Sequence, residues 1–359
     1  MLIGLVVIHE AGHYVTAKMF GVKVLEAGIG YPPRAWGFTW RGTIYSINYL
    51  PLGGFVRLLG EEDPTDPQSL AAQKAWKRLI ILGSGAFMNF VLPVMLFAIY
   101  FMIPHDVPKG PAIIDTVESS SPAAAAGLKQ GDQILTIDGT EIKNTEDAGR
   151  QIRLHMGETI AIAVQRSSFG ETQVETVNVQ ARWAPPDGQG PTGIQIHDRV
   201  AGSAICTGGN PPDQCYESTS YGPLSAIDKG WHATLDSLKL ARNQVIAMFK
   251  GGQGPALAGP TGIAQGTGEV IKSNGWDSLL QFAALLSINL AIINVLPLPM
   301  LDGGRMTFVF IEILRRGKRI APEKEAIVHL IGLALIIIMA VAVTYVDIAR
   351  IFGGKSIFS

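Results

Sequence analysis

The stretch LVVIHEAGHYV, Leu5 to Val15, sets His9, Glu10 and His13 inside an apolar run. Polar, titratable groups in lipid-like surroundings are costly and tend to mark function. On a helix, residues four apart share a face, so both imidazoles can reach one Zn2+. Glu10 stands beside the first, where its carboxylate can take a proton from a water at the metal. Two histidines capping polar contacts in a helix bundle fit the same residues. A catalytic zinc also needs a third protein ligand and an open position. The candidate lies far along the chain, in INLAIINVLPLPMLDGGR, where Asp302 is the only acid. Pro297 and Pro299 break that apolar run, and broken backbone at membrane depth is tolerated only where protein or a cavity receives it. The bland readings are a helix-end acid in a Leu-Asp-Gly-Gly turn for Asp302 and interhelical hydrogen bonds for Asn289 and Asn294.

The elements that must position these residues are those of a membrane protein. Apolar residues are 47% and charged residues 16% of 359, against about a quarter charged in soluble domains. A net charge of -1, no long basic tract and no zinc-finger cysteine spacing exclude nucleic-acid binding. Crossing a core of about 30 Å takes roughly 20 helical residues. Leu79 to Ile103, Leu279 to Leu301 and Ala326 to Val346 are long enough. Met1 to Ile8 is too short alone. It reads as the second half of a span whose beginning is missing, in a helix continuing to about Phe20. Lys and Arg cluster between the first and second apolar runs and between the third and fourth, which places both segments in the cytoplasm. The long segment Pro104 to Ser278 is then extracytoplasmic. Cys206 and Cys215 fall in it. A disulfide closing a short loop suits an oxidising side, and two unpaired surface thiols suit the spacing too.

Thr43 to Glu61, TIYSINYLPLGGFVRLLGE, reads as a hairpin or looped sheet beside the membrane. Ala71 to Arg78 reads as a short basic helix leading into the second span. Asp138-Gly139 marks a hairpin between Gln133–Ile137 and Thr140–Ile142. Thr145 to His155 is expected as a helix, Thr159 to Gln165 and Gln173 to Val179 as strands, and Pro185 to Ser220 as irregular. Leu224 to Phe249 has the spacing of an amphipathic helix. His105, His155, His197 and His232 are expected on surfaces, and His329 at the interface.

The two motifs together resemble those of the site-2 protease family of intramembrane zinc metalloproteases, and the resemblance covers nearly the whole chain. His9-Glu10-xx-His13 is similar to that family's active-site motif, and Asn294-xx-Pro297-x-Pro299-xx-Asp302-Gly303 to its second. Gly85-xxx-Asn89, Pro51 to Glu61 and Gly259 to Ile263 (GPTGI) are similar to further motifs. Ser121 to Ile142 looks like part of one PDZ domain of the rearranged bacterial kind, in which Gly110 to Ile114 would hold the loop that caps a peptide carboxylate.

The resemblance implies a polytopic α-helical protein with about four transmembrane helices, a membrane-associated β-loop and one extracytoplasmic PDZ-like α/β domain. The expected divisions are 1–20, first membrane helix; 21–78, cytoplasmic β-loop and linker; 79–103, second membrane helix; 104–183, PDZ-like domain. After these come 184–278, an irregular region with an amphipathic helix; 279–302, third membrane helix; 303–325, cytoplasmic loop; and 326–350, fourth membrane helix. It implies one catalytic Zn2+ held by His9, His13 and Asp302, with Glu10 as general base. Asn294, Pro297, Pro299, Gly53, Gly54 and Phe55 would meet the substrate. It also implies a multi-pass place in the bacterial inner membrane. Substrates would be single-span proteins, anti-sigma-factor-like or remnant signal peptides, with a peptide C-terminus as a further partner of the PDZ-like domain. The alternatives are a catalytically inactive PDZ-bearing scaffold and a transporter. Glu10 beside a full ligand set argues against the first, and the lack of inverted half-helices against the second.

Overall fold

The computed structural model describes residues 1–168, 171–198, 215–252 and 259–353. Along the chain come α1 (Leu2–Met19), β1 (Val24–Trp40), β2 (Thr43–Leu58), α2 (Ala75–Met102), β3 (His105–Lys109), β4 (Ala112–Val117) and α3 (Pro122–Ala125). Next are β5 (Gln133–Ile137), β6 (Thr140–Glu141), α4 (Thr145–Leu154), β7 (Thr159–Ser168), β8 (Glu171–Gln180), β9 (Ile194–Asp198) and β10 (Cys215–Thr219). Then follow α5 (Pro223–Phe249), α6 (Pro260–Asn274), α7 (Ser278–Val295), α8 (Asp302–Leu314) and α9 (Pro322–Phe352). They form two compact units. The first holds Met1–Tyr100, Ile227–Thr234 and Leu257–Ser359; the second holds Phe101–Ala226 and Leu235–Ala256.

In the first unit three helices, α2, α7 and α9, are long and apolar enough to cross a membrane. Helix α1 has the polar motif at its middle and is not among them. Helices α1 and α2 approach closely because glycine stands at the contact. A Cβ on Gly12 would lie 2.5 Å from the Ser84 carbonyl oxygen, and the Thr16 and Ser84 hydroxyls meet at 2.9 Å. Pro93 inside α2 has no N–H to give the carbonyl of Asn89. The Ser287 hydroxyl of α7 donates to that carbonyl instead, at 2.9 Å, so the proline becomes a helix–helix tie.

Strands β1 and β2 make a curled hairpin. The first half of β1 pairs on both sides: Gly28 faces Ser46 in the first half of β2 and Phe55 in the second. Ile44–Ile47 in turn faces Trp36–Thr39 across its other side. The sheet is thus four segments wide, and Gly54–Leu58 is an edge.

Helix α7 stops at Val295. Leu296 turns extended, Met300 takes a φ of +72°, and α8 starts at Asp302. Gly303 and Gly304 let α8 start against the loop it has just left. Cβ atoms there would lie 2.2 Å from the Leu296 oxygen and 2.3 Å from the Leu298 oxygen. The Met300 N–H donates to Nδ1 of His329 on α9 at 2.9 Å.

The second unit is built on a sheet of order β8-β7-β5-β4-β9, with β6 paired to β5. Ile160, Ile162 and Val164 of β7 alternate inward onto Ile114, Ile134, Ile137 and Val179. Asn144 caps α4 by accepting from the Asp147 N–H at 2.9 Å. Buried Asp132 pairs with Arg166 at 2.6 Å. Strands β3 and β10 pair with each other outside this sheet.

Several expectations need correction. Among the described residues three helices are candidate spans by length and composition. Residues 71–78 are not a separate helix, because α2 begins at Ala75 and runs unbroken into the span. The expected loop 303–325 holds α8, and the third membrane helix ends before the prolines. The PDZ-like division at residue 183 cuts off β9, which pairs along β4 from Ala112 to Val117. Strand β4, which contains Ile113 and Ile114, is flanked on both sides, so among the described residues the edges of this sheet are β8 and β9. His105 is buried, not at a surface, and His329 is buried too. The disulfide expectation rests on Cys206 and on the Cys215 side chain, which lie outside the described residues.

Candidate metal centre

The apolar run places His9 and His13 on one face of α1, and the break after α7 brings Asp302 to them. His9 Nε2 lies 3.0 Å and His13 Nε2 3.2 Å from Asp302 Oδ2, and the two nitrogens are 3.2 Å apart. Both histidines are buried. Among the described residues no other three metal-ligating side chains come together in this way. The donor set is two imidazoles and one carboxylate, a set that suits catalytic zinc. The edge of a tetrahedron with bonds of 2.0–2.1 Å is about 3.3 Å, close to the spacings here. Three lone pairs so near one another in a buried site call for a cation or shared protons between them.

The surroundings orient the rings. His13 Nδ1–H donates to the Ile81 carbonyl of α2 at 2.8 Å, which leaves Nε2 free to ligate. His9 Nδ1 faces the Asn89 amide at 3.2 Å through Nδ2, while Asn89 Oδ1 is buried with no hydrogen-bond partner. The two ends of an amide have the same shape. Turned over, the amide offers Oδ1 to the Nδ1–H that a ring ligating through Nε2 must carry. Gly85 makes the room: a Cβ there would lie 2.4 Å from His13 Nε2 and 2.6 Å from His9 Nε2. Ring orientation and space thus come from α2. The i, i+4 spacing of Gly85 and Asn89 was visible in sequence, but its target was not. The Ile81 carbonyl leaves no mark in sequence at all.

Glu10 turns towards the hairpin. It lines a cavity wall together with Val56 of β2, and the Cβ position of Gly54 lies 3.8 Å from Glu10 Cγ. Gly53 and Gly54 are buried against Val6 and Val7. Phe55 shares a cavity wall with Glu10. Asn294 is buried near the end of α7. Pro297 and Pro299 lie in the break, and Pro299 Cβ packs where Gly332 of α9 lacks a side chain.

The profile of peptidase family M50 matches residues 1–339. A protein of Agrobacterium fabrum is 30% identical, over 97% of this chain and 94% of its own length. One of Clostridium perfringens is 32% identical, over 96% and 95%. Both bear provisional names as zinc metalloproteases. The regulator of sigma-W protease RasP of Bacillus subtilis is 28% identical, over 97% of this chain and 96% of its own.

Proposed function

Because the chain belongs to peptidase family M50 and is a zinc metalloprotease, we propose that it hydrolyses peptide bonds inside membrane segments of other proteins. His9, His13 and Asp302 hold the zinc, and Glu10 moves the proton. The observation that carries this reading is the meeting of the three ligand atoms within 3.2 Å of one another, with Glu10 beside the first ligand. When bound, zinc supplies Lewis acidity towards the scissile carbonyl and the attacking water. The Glu10 carboxylate takes the water proton and delivers it to the leaving amine.

A helix hides its peptide bonds in its own hydrogen bonds, so a substrate must unwind locally. The unwound strand adds to the hairpin edge at Gly54–Leu58, which passes Glu10. Asn294 hydrogen-bonds the exposed substrate backbone, and Pro297 and Pro299 keep the helix broken where that backbone passes. With α1 counted as a fourth span, the chain is a multi-pass protein of the bacterial inner membrane. Its substrates are single-span regulators of the anti-sigma-factor kind or remnant signal peptides. The relative named for sigma-W supports that class. The second unit is a PDZ-like domain on the outer side, and a peptide end adds to β9.

The test co-expresses this protein, or Glu10→Gln, with a tagged single-span reporter whose outer domain has been removed. Cleavage by the unmodified enzyme alone, with equal zinc in both purified forms, is expected. Equal cleavage by both forms removes Glu10 as the base and sinks this mechanism.

A further inference from the structure

A cavity of about 320 Å³ lies between α1 and the hairpin. Helix α1 contributes Val7, Glu10, Ala11 and Tyr14, and the sheet contributes Trp36, Phe38, Tyr45, Ile47, Phe55 and Val56 among others. Its volume is in the range of built ligand sites, and its lining is apolar and aromatic except beside Glu10. The aromatic wall is ordered by its own contacts. Phe38 stacks on Tyr45 with centroids 5.2 Å apart, Trp36 lies 5.4 Å from Phe38, and the Tyr45 hydroxyl bonds that of Tyr14.

Strand alternation shows what this cavity can receive. Phe38, Tyr45, Ala27 and Val56 form one cross-strand row; Trp36, Ile47, Ile29 and Gly54 form the next but one. Rows two apart point their side chains to the same face. That face is the one towards α1, because the Cβ direction of Gly54 meets Val7 and Glu10. A strand added beside Gly54–Leu58 continues both rows. Its side chain opposite Gly54 meets no side chain on the edge strand, so it is free to lean over the edge towards the cavity. Glu10 stands at the same wall.

We propose that this cavity is the specificity pocket of the peptidase, and that it takes one large apolar or aromatic side chain of the substrate next to the scissile bond. This rests on the peptidase reading above. The occupant is a substrate side chain and not a lipid tail, because the cavity adjoins the edge that holds the substrate backbone and the carboxylate that serves its scissile bond. Gly28 belongs to the intervening row, where a Cβ would collide with Phe55 at 2.6 Å and Ser46 at 2.7 Å.

The experiment uses full-length, zinc-loaded enzyme and reporters with Ala, Leu, Phe or Trp at each position flanking the cut. Ala11→Leu fills the cavity and Phe38→Ala enlarges it. Zinc content and Tm of both variants are measured alongside. At one flanking position the ratio of kcat/KM for Phe over Ala is expected to fall about tenfold or more in Ala11→Leu. In Phe38→Ala the preference is expected to shift towards Trp. Ratios unchanged in both zinc-loaded variants at every position overturn the proposal. So do unchanged ratios with less co-purifying lipid in Ala11→Leu by native mass spectrometry, which would make the cavity an acyl-chain site. Failure of the unmodified, zinc-loaded enzyme to cut any reporter overturns the peptidase reading and this proposal with it.

Discussion

Replacing Gly85 by alanine adds one methyl group to the apolar helix α2, and the structure places that methyl against the proposed metal ligands. The new Cβ would sit 2.4 Å from His13 Nε2 and 2.6 Å from His9 Nε2. Ordinary contact begins at about 3.5 Å, so the ring nitrogens must retreat by about 1 Å. Metal sites tolerate ligand displacements of about 0.2 Å. The rings have little room to move, since His13 is tied to Ile81 and Asn89 backs His9. Zinc affinity is expected to fall at least about 100-fold, the upper end of what loss of a supporting group costs. The helix itself favours alanine over glycine by up to about 1 kcal/mol, so poor helix formation cannot explain a loss. Gly83→Ala is the control, because its Cβ would meet only Met306, at 3.7 Å or beyond. Chelator competition on the purified proteins, with Tm alongside, gives the answer. Gly85→Ala holding zinc as tightly as Gly83→Ala would refute the reasoning.

Three further predictions follow from single contacts. Asn89→Leu removes the amide facing His9 and is expected to lower zinc affinity about 10- to 100-fold, with Asn89→Asp, which keeps an acceptor, recovering most of it; equal loss in both variants refutes an acceptor role. Buried Arg78 of α2 pairs with partly buried Glu312 of α8 at 2.6 Å, and Arg319 pairs with the same carboxylate at 3.2 Å, so Arg78→Ala is expected to cost about 1–3 kcal/mol, read as a fall in Tm, with Arg78→Ala in an Arg319→Ala background costing more. Burial opposes the charge of Glu26, but the Ser46 hydroxyl and the Arg34 and Arg57 guanidinium groups outweigh it and hold the carboxyl below the usual range. A carboxyl lowered by folding stabilises fully above its unfolded pKa of about 4.3, and that stabilisation is lost as pH falls through the lower folded value. The protection of the Glu26–Ile29 amides, relative to intrinsic exchange at each pH, is therefore expected to fall on acidification below about pH 4, and Glu26→Gln to abolish that pH dependence.

What could be read from sequence and what could not divide along physical lines. The i, i+4 histidines, the apolar runs and the Asp138-Gly139 turn are local patterns, and each has a local structural consequence. The helix break was readable too, since Pro297 and Pro299 lack the N–H groups a helix needs. Contacts between distant segments were not. Nothing near Asn89 says that its amide faces His9, or that Ser287 serves the carbonyl that Pro93 leaves without a partner. The burial of His329 followed from a bond to Met300, whose left-handed backbone no propensity suggests. Strand β9 was lost in a stretch rich in glycine and proline, because five residues alternate too briefly to stand out; pairing with β4 makes it a strand. Residues 303–325 were read as a loop from their charges, yet Asp302–Leu314 has apolar residues at helical spacing.

The distance along the chain between the two halves of the metal centre sets an order of events during synthesis. Asp302 follows His9 by 293 residues. At 5–20 residues per second, that is a delay of roughly 15 to 60 s. Throughout it α1 has left the ribosome with the two proposed histidine ligands and the proposed base, but without Asp302. With the proposed activity, a peptidase that cuts membrane segments is dangerous beside an insertion channel full of nascent ones. Splitting the proposed ligands between α1 and the start of α8 works as a safety catch, released only once Asp302 has been made.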